Sequence, residues 1–217
     1  GLIFRLPPIP AAQVVPMRRK LSILIDRRVI GLLGISLLAA IASLGMYTFI
    51  ASLISAHGEN SVTLSLWVWG IGGVLGSFLI GALVDRFSGP KLTFTIMLLL
   101  GGALIALPLL LRINPWLALI PIALWGAVGW ALQVPQNNEL MKAREAQGDG
   151  NLAVALNESA LYLGSAIGAS AGGLALAMQV PVNMLSVGAG AVALLGMGVQ
   201  VWLMRQTNAR GIACNRL

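Results

Sequence analysis

Charge is scarce in this sequence, 10% of 217 residues, so the few places where it stands are informative. Glu158 is the single ionisable side chain inside a long apolar run. Holding a charge at the centre of a membrane helix costs at least about 2.5–3.5 kcal/mol, which makes such a residue a functional candidate by default. If Asn151 caps the helix that carries it, Glu158 lies about 10 Å along the axis, beyond the first turn in which the helix dipole alone favours a carboxylate. At the helical turn angle Tyr162 and Ser165 share the face of Glu158, whereas Asn157, Gly164 and Gly168 share another. Two readings stand at this stage: Glu158, Tyr162 and Ser165 face a water-filled cavity, or Glu158 sits among the headgroups and pairs with Lys142 or Arg144.

Weaker polar faces occur elsewhere. Ser36, Ser43 and Tyr47 recur at helical spacing, and Trp130, Gln133 and Asn137 do so around Pro135. Each set either lines a cavity or hydrogen-bonds between helices, where such a bond contributes about 0.6 kcal/mol. Other chemistry is missing. His57 is the only histidine and Cys214 the only cysteine, so neither a metal cluster nor an intrachain disulfide is expected. A hydrolase within a membrane needs a nucleophile with a partnered base, or a metal, and Glu158 is solitary, so no enzyme is expected. No glycine-rich loop stands between a strand and a helix, and no nucleotide or other cofactor is implied.

The elements that carry these residues follow from composition. With 58% hydrophobic residues and a mean hydropathy of +0.88, the chain has too little polar surface for a water-soluble globule, and lipid must be the solvent for much of it. A membrane helix needs about 20 mostly apolar residues, and six runs of that kind are present: 29–54, 62–84, 92–111, 116–134, 152–178 and 183–204. Turn formers and charges separate them, with the longest break at 135–151, and links this short make neighbouring helices antiparallel. The fold class is therefore an all-α membrane protein. Trp116 and Trp202, at run ends, suit interface anchors.

The net charge of +7 suits orientation rather than nucleic acid. With both termini on one side, every Lys and Arg except Arg112 falls on that side, which places both ends in the cytoplasm by the positive-inside rule. Gly164, Gly168 and Gly172, like Gly72 and Gly76, recur at the spacing by which membrane helices pack closely. Position 1 is Gly rather than Met, and a piece of something longer is the expectation.

One junction is more specific. Gly81-Ala-Leu-Val-Asp85-Arg86-Phe-Ser-Gly89-Pro-Lys91 closely resembles the Gly-x-x-x-Asp-Arg-x-Gly-basic signature that joins the second and third helices of each half of major facilitator superfamily transporters. Ser88 is inserted before the second glycine, and Lys91 alone stands for the basic pair. Residues 153–173 look like the eleventh helix of the drug:proton antiporter and sugar-efflux branch, and Tyr47-Thr-Phe-Ile-Ala51 like its seventh.

The resemblance implies that the six runs are helices seven to twelve of a twelve-helix fold, as a six-helix bundle over 29–204 with 1–28 as the end of a cytoplasmic linker and 205–217 as a cytoplasmic tail. It implies an amino-terminal six-helix half as partner, alternating access, and proton-coupled efflux of a small molecule of the drug, sugar or nucleoside class across a bacterial inner membrane. Gly81, Asp85, Arg86, Gly89 and Lys91 would form a cytoplasmic gate, against the plainer alternative of a positively biased loop at a helix end. Ser43, Tyr47, Trp130, Gln133, Asn137, Asn157, Glu158, Tyr162 and Ser165 would line the substrate cavity. A six-helix scaffold or a homodimeric half-transporter is the alternative.

Overall fold

The computed structural model describes residues 25–57 and 62–214, with side chains through residue 206. Most of the expected linker, residues 1–24, and the end of the expected tail, residues 215–217, lie outside the described residues. The described residues hold α1 (Arg27–Tyr47), α2 (Ile50–Ser55), α3 (Val62–Arg86), α4 (Gly89–Ile113), α5 (Pro115–Ala131), α6 (Gln133–Arg144), a 3-10 turn (Glu145–Gln147), α7 (Gly150–Ala177) and α8 (Val182–Cys214). Among them are six helices long and apolar enough to cross a membrane. The last is continuous through Cys214, so residues 205–214 prolong that helix and do not leave it as a separate tail.

Local chemistry sets the ends. Asp26 caps α1 by accepting from the Arg28 N–H at 2.9 Å, and Asn114 caps α5 by accepting from the Trp116 N–H at 2.9 Å, with Pro115 preset for the first turn. The run expected as one helix over 29–54 is interrupted at Thr48 and Phe49, between α1 and α2.

The break expected over 135–151 is largely helix. Pro135 has no N–H to give to the Ala131 carbonyl, and the cost is confined to a one-residue interruption at Leu132, whose φ of −61° and ψ of −33° stay helical. The polar run that follows then continues the span, because its inner face packs: Gln136, Glu139, Leu140 and Arg144 are all buried. Gly148, at φ +72°, supplies the left-handed residue that ends it.

Packing follows a regular scheme when the spans are numbered one to six, with α1 and α2 as the first and α5 and α6 as the fourth. The most extensive helix pairs are one with five, four with two, one with six, four with three, and three with six. Replacing each span by the one three places along returns the same set. Antiparallel neighbours make spans three apart run in opposite directions, so the bundle has the contact pattern of an inverted three-plus-three repeat.

Glycines allow the two closest pairs. A Cβ on Gly164 would lie 2.5 Å from the Leu37 carbonyl oxygen, and one on Gly168 would lie 2.6 Å from that of Ile41 and 2.8 Å from Gly45 Cα. In the matching pair, Gly72 and Gly76 of α3 abut the Ala123 and Ala127 carbonyls of α5. Backbone meets backbone in both, as in close membrane-helix packing. The middle of the bundle is filled by Ile35, Met97, Leu100, Leu104 and Trp125. By contrast only 11% of the apolar window of α7 is buried, against 61% for α1.

Candidate functional site

A cavity of about 270 Å³ opens between α1, α3, α5, α6 and α7, with Leu100 of α4 also in its wall. The interruption at Leu132 places Leu132 and Gln133 in its wall, and the close α1–α7 packing brings Ser36 and Ser43 opposite Asn157 and Glu158. Trp69 of α3, Trp130 of α5 and Tyr162 of α7 complete most of the aromatic surface.

Tyr47, Trp69, Trp125 and Trp130 form one connected group of rings. Tyr47 lies against Trp69 with centroids 4.4 Å apart and planes inclined by 33°, and Trp69 meets both Trp125 and Trp130 edge-on at 6.2 Å. Such edge-on contacts favour fixed ring positions over free rotation. Trp125 is fully buried and donates its indole N–H to Ser43 Oγ at 2.8 Å, which ties α5 to α1 behind the wall. Asn157 is also fully buried, and its amide donates to Asn137 Oδ1 at 2.8 Å.

Of the residues expected to line a cavity, Ser43, Trp130, Gln133, Asn157, Glu158 and Tyr162 do so together. Three do not. Tyr47 stands behind Trp69, Asn137 holds Asn157 from outside the wall, and Ser165 is half-buried further along α7. Ser165 shares the face of Glu158 but lies seven residues, about 10 Å, further along the helix axis, past Tyr162 where the wall ends. Trp69 was not among the expected residues. An indole in the apolar run of α3 carries no polar periodicity, so nothing in the sequence separates it from core.

Glu158 has no ion pair among the described residues. The expected pairing of Glu158 with Lys142 or Arg144 is not formed, and both cations are engaged elsewhere. Lys142 Nζ lies 4.0 Å from Glu139 Oε1, and Arg144 lies 3.7 Å from Asp26 Oδ2 and donates to Asp149 Oδ2 at 3.1 Å.

These contacts belong to a second polar cluster at the basic end of the bundle. Arg28 at the start of α1 donates to Glu139 Oε2 at 2.9 Å, and the Glu139 side chain is 8% exposed. Glu139 also reaches the start of α4, where a Cβ on Gly89 would stand 2.8 Å from its Oε1. Ser88, the residue before α4, makes no capping bond, so a carboxylate from another span occupies the positive end of that helix. Gln200 of α8 donates to the Pro90 carbonyl at 3.0 Å beside it. Glu139 went unassigned in the sequence because 135–151 reads as a loop. The opposite charges of Glu139 and Lys142, three residues apart, are the helical signal that could have marked it.

The expected gate residues separate into two groups. Gly89 and Lys91 border the recess that holds Arg28 and Glu139, with Gly89 against Glu139 and Lys91 exposed. Gly81, Asp85 and Arg86 are exposed, a Cβ on Gly81 would meet open space, and Asp85 and Arg86 make no side-chain bond among the described residues.

Fold and cavity together define an all-α, multi-pass membrane protein with a polar and aromatic recess inside its bundle. The chain is similar to the inner membrane transport protein YdhP of Escherichia coli O157:H7, with 31% identity over 191 residues that cover 86% of this chain and 48% of that protein. It is 30% identical to the YdhP of strain K12 over the same shares. The chain thus spans about half the length of the curated relatives it matches. No family model matches it, and no solved structure matches it either. Six apolar spans and these relatives place it in the bacterial inner membrane.

Proposed function

We propose that the chain is the carboxyl-terminal six-helix half of a major facilitator transporter that exports a small molecule by alternating access, coupled to proton entry. The observation that carries this reading is the cavity, in which an unpaired carboxylate, Glu158, meets an aromatic wall beneath the sparsely covered α7. Relatives of about twice the length that are named as transport proteins support it, as does the inverted contact pattern of the spans. Its partner is an amino-terminal six-helix half of the same transporter, docking over the exposed faces of α3 and α7.

On this reading Asp85 and Arg86 serve the gate. They project from the end of α3 without partners among the described residues, so they are free to meet helix ends of the other half in one state and release them in the other. A carboxylate at a helix amino terminus contributes about 0.3–1 kcal/mol when exposed, enough to bias two states of similar energy. Gly89 instead lies against Glu139 of its own bundle, and Lys91 borders the recess that holds Glu139.

The test uses everted inner-membrane vesicles that contain the full natural chain. A preformed pH gradient is challenged with small molecules of the drug, sugar and nucleoside classes. At least one class should collapse the gradient, and Glu158→Gln should abolish that collapse. Collapse of equal rate in the variant would remove Glu158 from the mechanism, and transport by a complex of two copies of this chain would replace the two-half arrangement.

A further inference from the structure

We infer that Gln136 passes water, and with it protons, between the central cavity and the recess at the basic end of the bundle; this rests on reading Glu158 as the group that carries the proton. Gln136 is fully buried in α6, and neither its Oε1 nor its Nε2 has a partner among the described residues. Leu132 and Gln133, before it, line the cavity, and Glu139, after it, lines a recess of about 220 Å³. The Gln136 backbone N–H bonds the Leu132 carbonyl at 3.3 Å, so the helical register holds across the interruption. At the helical turn angle Leu132 and Glu139 then point within about 20° of each other and stand about 10 Å apart along the axis. The two voids border the same side of α6, and Gln136 is the polar side chain between them.

Unpaired polar atoms continue on both sides of it. The Asn157 amide donates to Asn137, and its buried Oδ1 is left without a partner beside the cavity. Gln200 donates to the Pro90 carbonyl, which fixes its unpartnered Oε1 as an acceptor beside the recess. A buried donor or acceptor that stays unmet costs the full desolvation of that group. Water meets the whole series, because it donates and accepts at once and settles where a few polar groups converge. A metal ion cannot bond the Gln136 amide N–H, and an apolar ligand bonds none of these atoms. As the side chain stands, the amide atoms of Gln136 are closed to both voids, so the connection is a relay and not an open pore. An open file of water would let protons run down their gradient without driving transport, whereas a side chain that must turn between two voids passes them singly. The proton leaves the Glu158 carboxyl for water in the cavity, crosses at Gln136 and emerges beside Arg28, Lys91 and Glu139, and Glu158 remains as the carboxylate. Glu139 is bonded by Arg28 and borders this exit without carrying the proton.

The experiment uses the full natural chain in liposomes that hold the pH dye pyranine, with valinomycin and potassium clamping the voltage. Gln136→Ala removes the turning side chain and joins the two voids, so an imposed pH step should collapse at least tenfold faster than with the native protein, with no transported compound added. Gln136→Leu closes the gap with an apolar side chain and should leave the collapse at the native rate. A second measurement needs no variant. Hydroxyl radicals from a millisecond X-ray pulse modify buried side chains where water stands against them. Leu140, one turn from Gln136, should be modified at least fivefold faster than Leu107, which is also buried in the apolar core. A native rate of collapse in a folded Gln136→Ala, or equal modification of the two leucines, would overturn the inference. Should Gln136→Ala not fold, the leucines decide. A leak through Gln136→Ala, together with compound-driven collapse that survives Glu158→Gln, would uphold the passage and overturn Glu158 as the proton carrier. Loss of that collapse in Glu158→Gln, with no leak through Gln136→Ala, would do the reverse.

Discussion

Glu139 and Glu158 stand on consecutive spans and carry the same charge, but the fold treats them differently. Glu139 is buried, bonded by Arg28, approached by Lys142 and set against the start of α4. Glu158 is half-buried in a cavity wall with no cation paired to it among the described residues. A charge whose partners are built into the same bundle holds elements together. A charge left without one is available to something that arrives. On the proposed function, the basic end of the bundle does structural work and its middle does ligand work.

Four variants would break or sharpen this contrast. The largest loss of stability is expected for Gly168→Val, since the new side chain would meet backbone of α1, which cannot yield as a flexible side chain can. Overpacking of this kind costs about 3 kcal/mol at the top of its usual range, and it should lower the melting temperature and displace α7 together with Glu158. Next comes Glu139→Ala, which strands Arg28 and removes the carboxylate set against the start of α4. A hydrogen bond to a charged group contributes about 1.5–3 kcal/mol, and a melting curve of the purified protein should show a loss in that range. Retained stability there would erase the contrast, because Glu139 would then be no more structural than Glu158.

Smaller effects sharpen it further. Trp125→Phe keeps an aromatic ring but removes the bond to Ser43 and leaves part of the space of the indole empty, and a loss of about 1–2 kcal/mol in denaturant unfolding is expected. Glu158→Gln should change stability by less than about 0.5 kcal/mol, as a substitution away from any paired network does. Its melting curve should overlay that of the native protein. A marked loss would mean that the carboxylate has a structural partner after all.

Much of the fold was legible in the sequence because hydropathy reports membrane spans directly. Turn formers marked most of the junctions, and the spacing of Gly164 and Gly168 announced a close helix contact that the α1–α7 pair supplies. What was not legible depended on contacts between distant residues. Glu139 and Arg144 look solvated when read in order, and only the arrival of Arg28 and Asp26 from the start of α1 makes their burial tolerable. The cavity was legible in its polar members and not in Trp69, since an indole in an apolar run looks like any other core residue until Tyr47 and Trp130 are seen around it. Ser165 shows the converse limit. Helical angle put it with Glu158, but the angle says nothing of depth, and about 10 Å along the axis carries Ser165 past the end of the wall.

The measurement that bears most directly on the contrast compares Glu158→Gln with Glu139→Gln in everted vesicles, as the rate of gradient collapse by a transported compound per folded molecule. Glu158→Gln should lose at least tenfold in rate with its melting temperature unchanged, while Glu139→Gln should melt earlier and keep its rate. A full rate in Glu158→Gln, or a lost rate in a stably folded Glu139→Gln, would contradict that contrast.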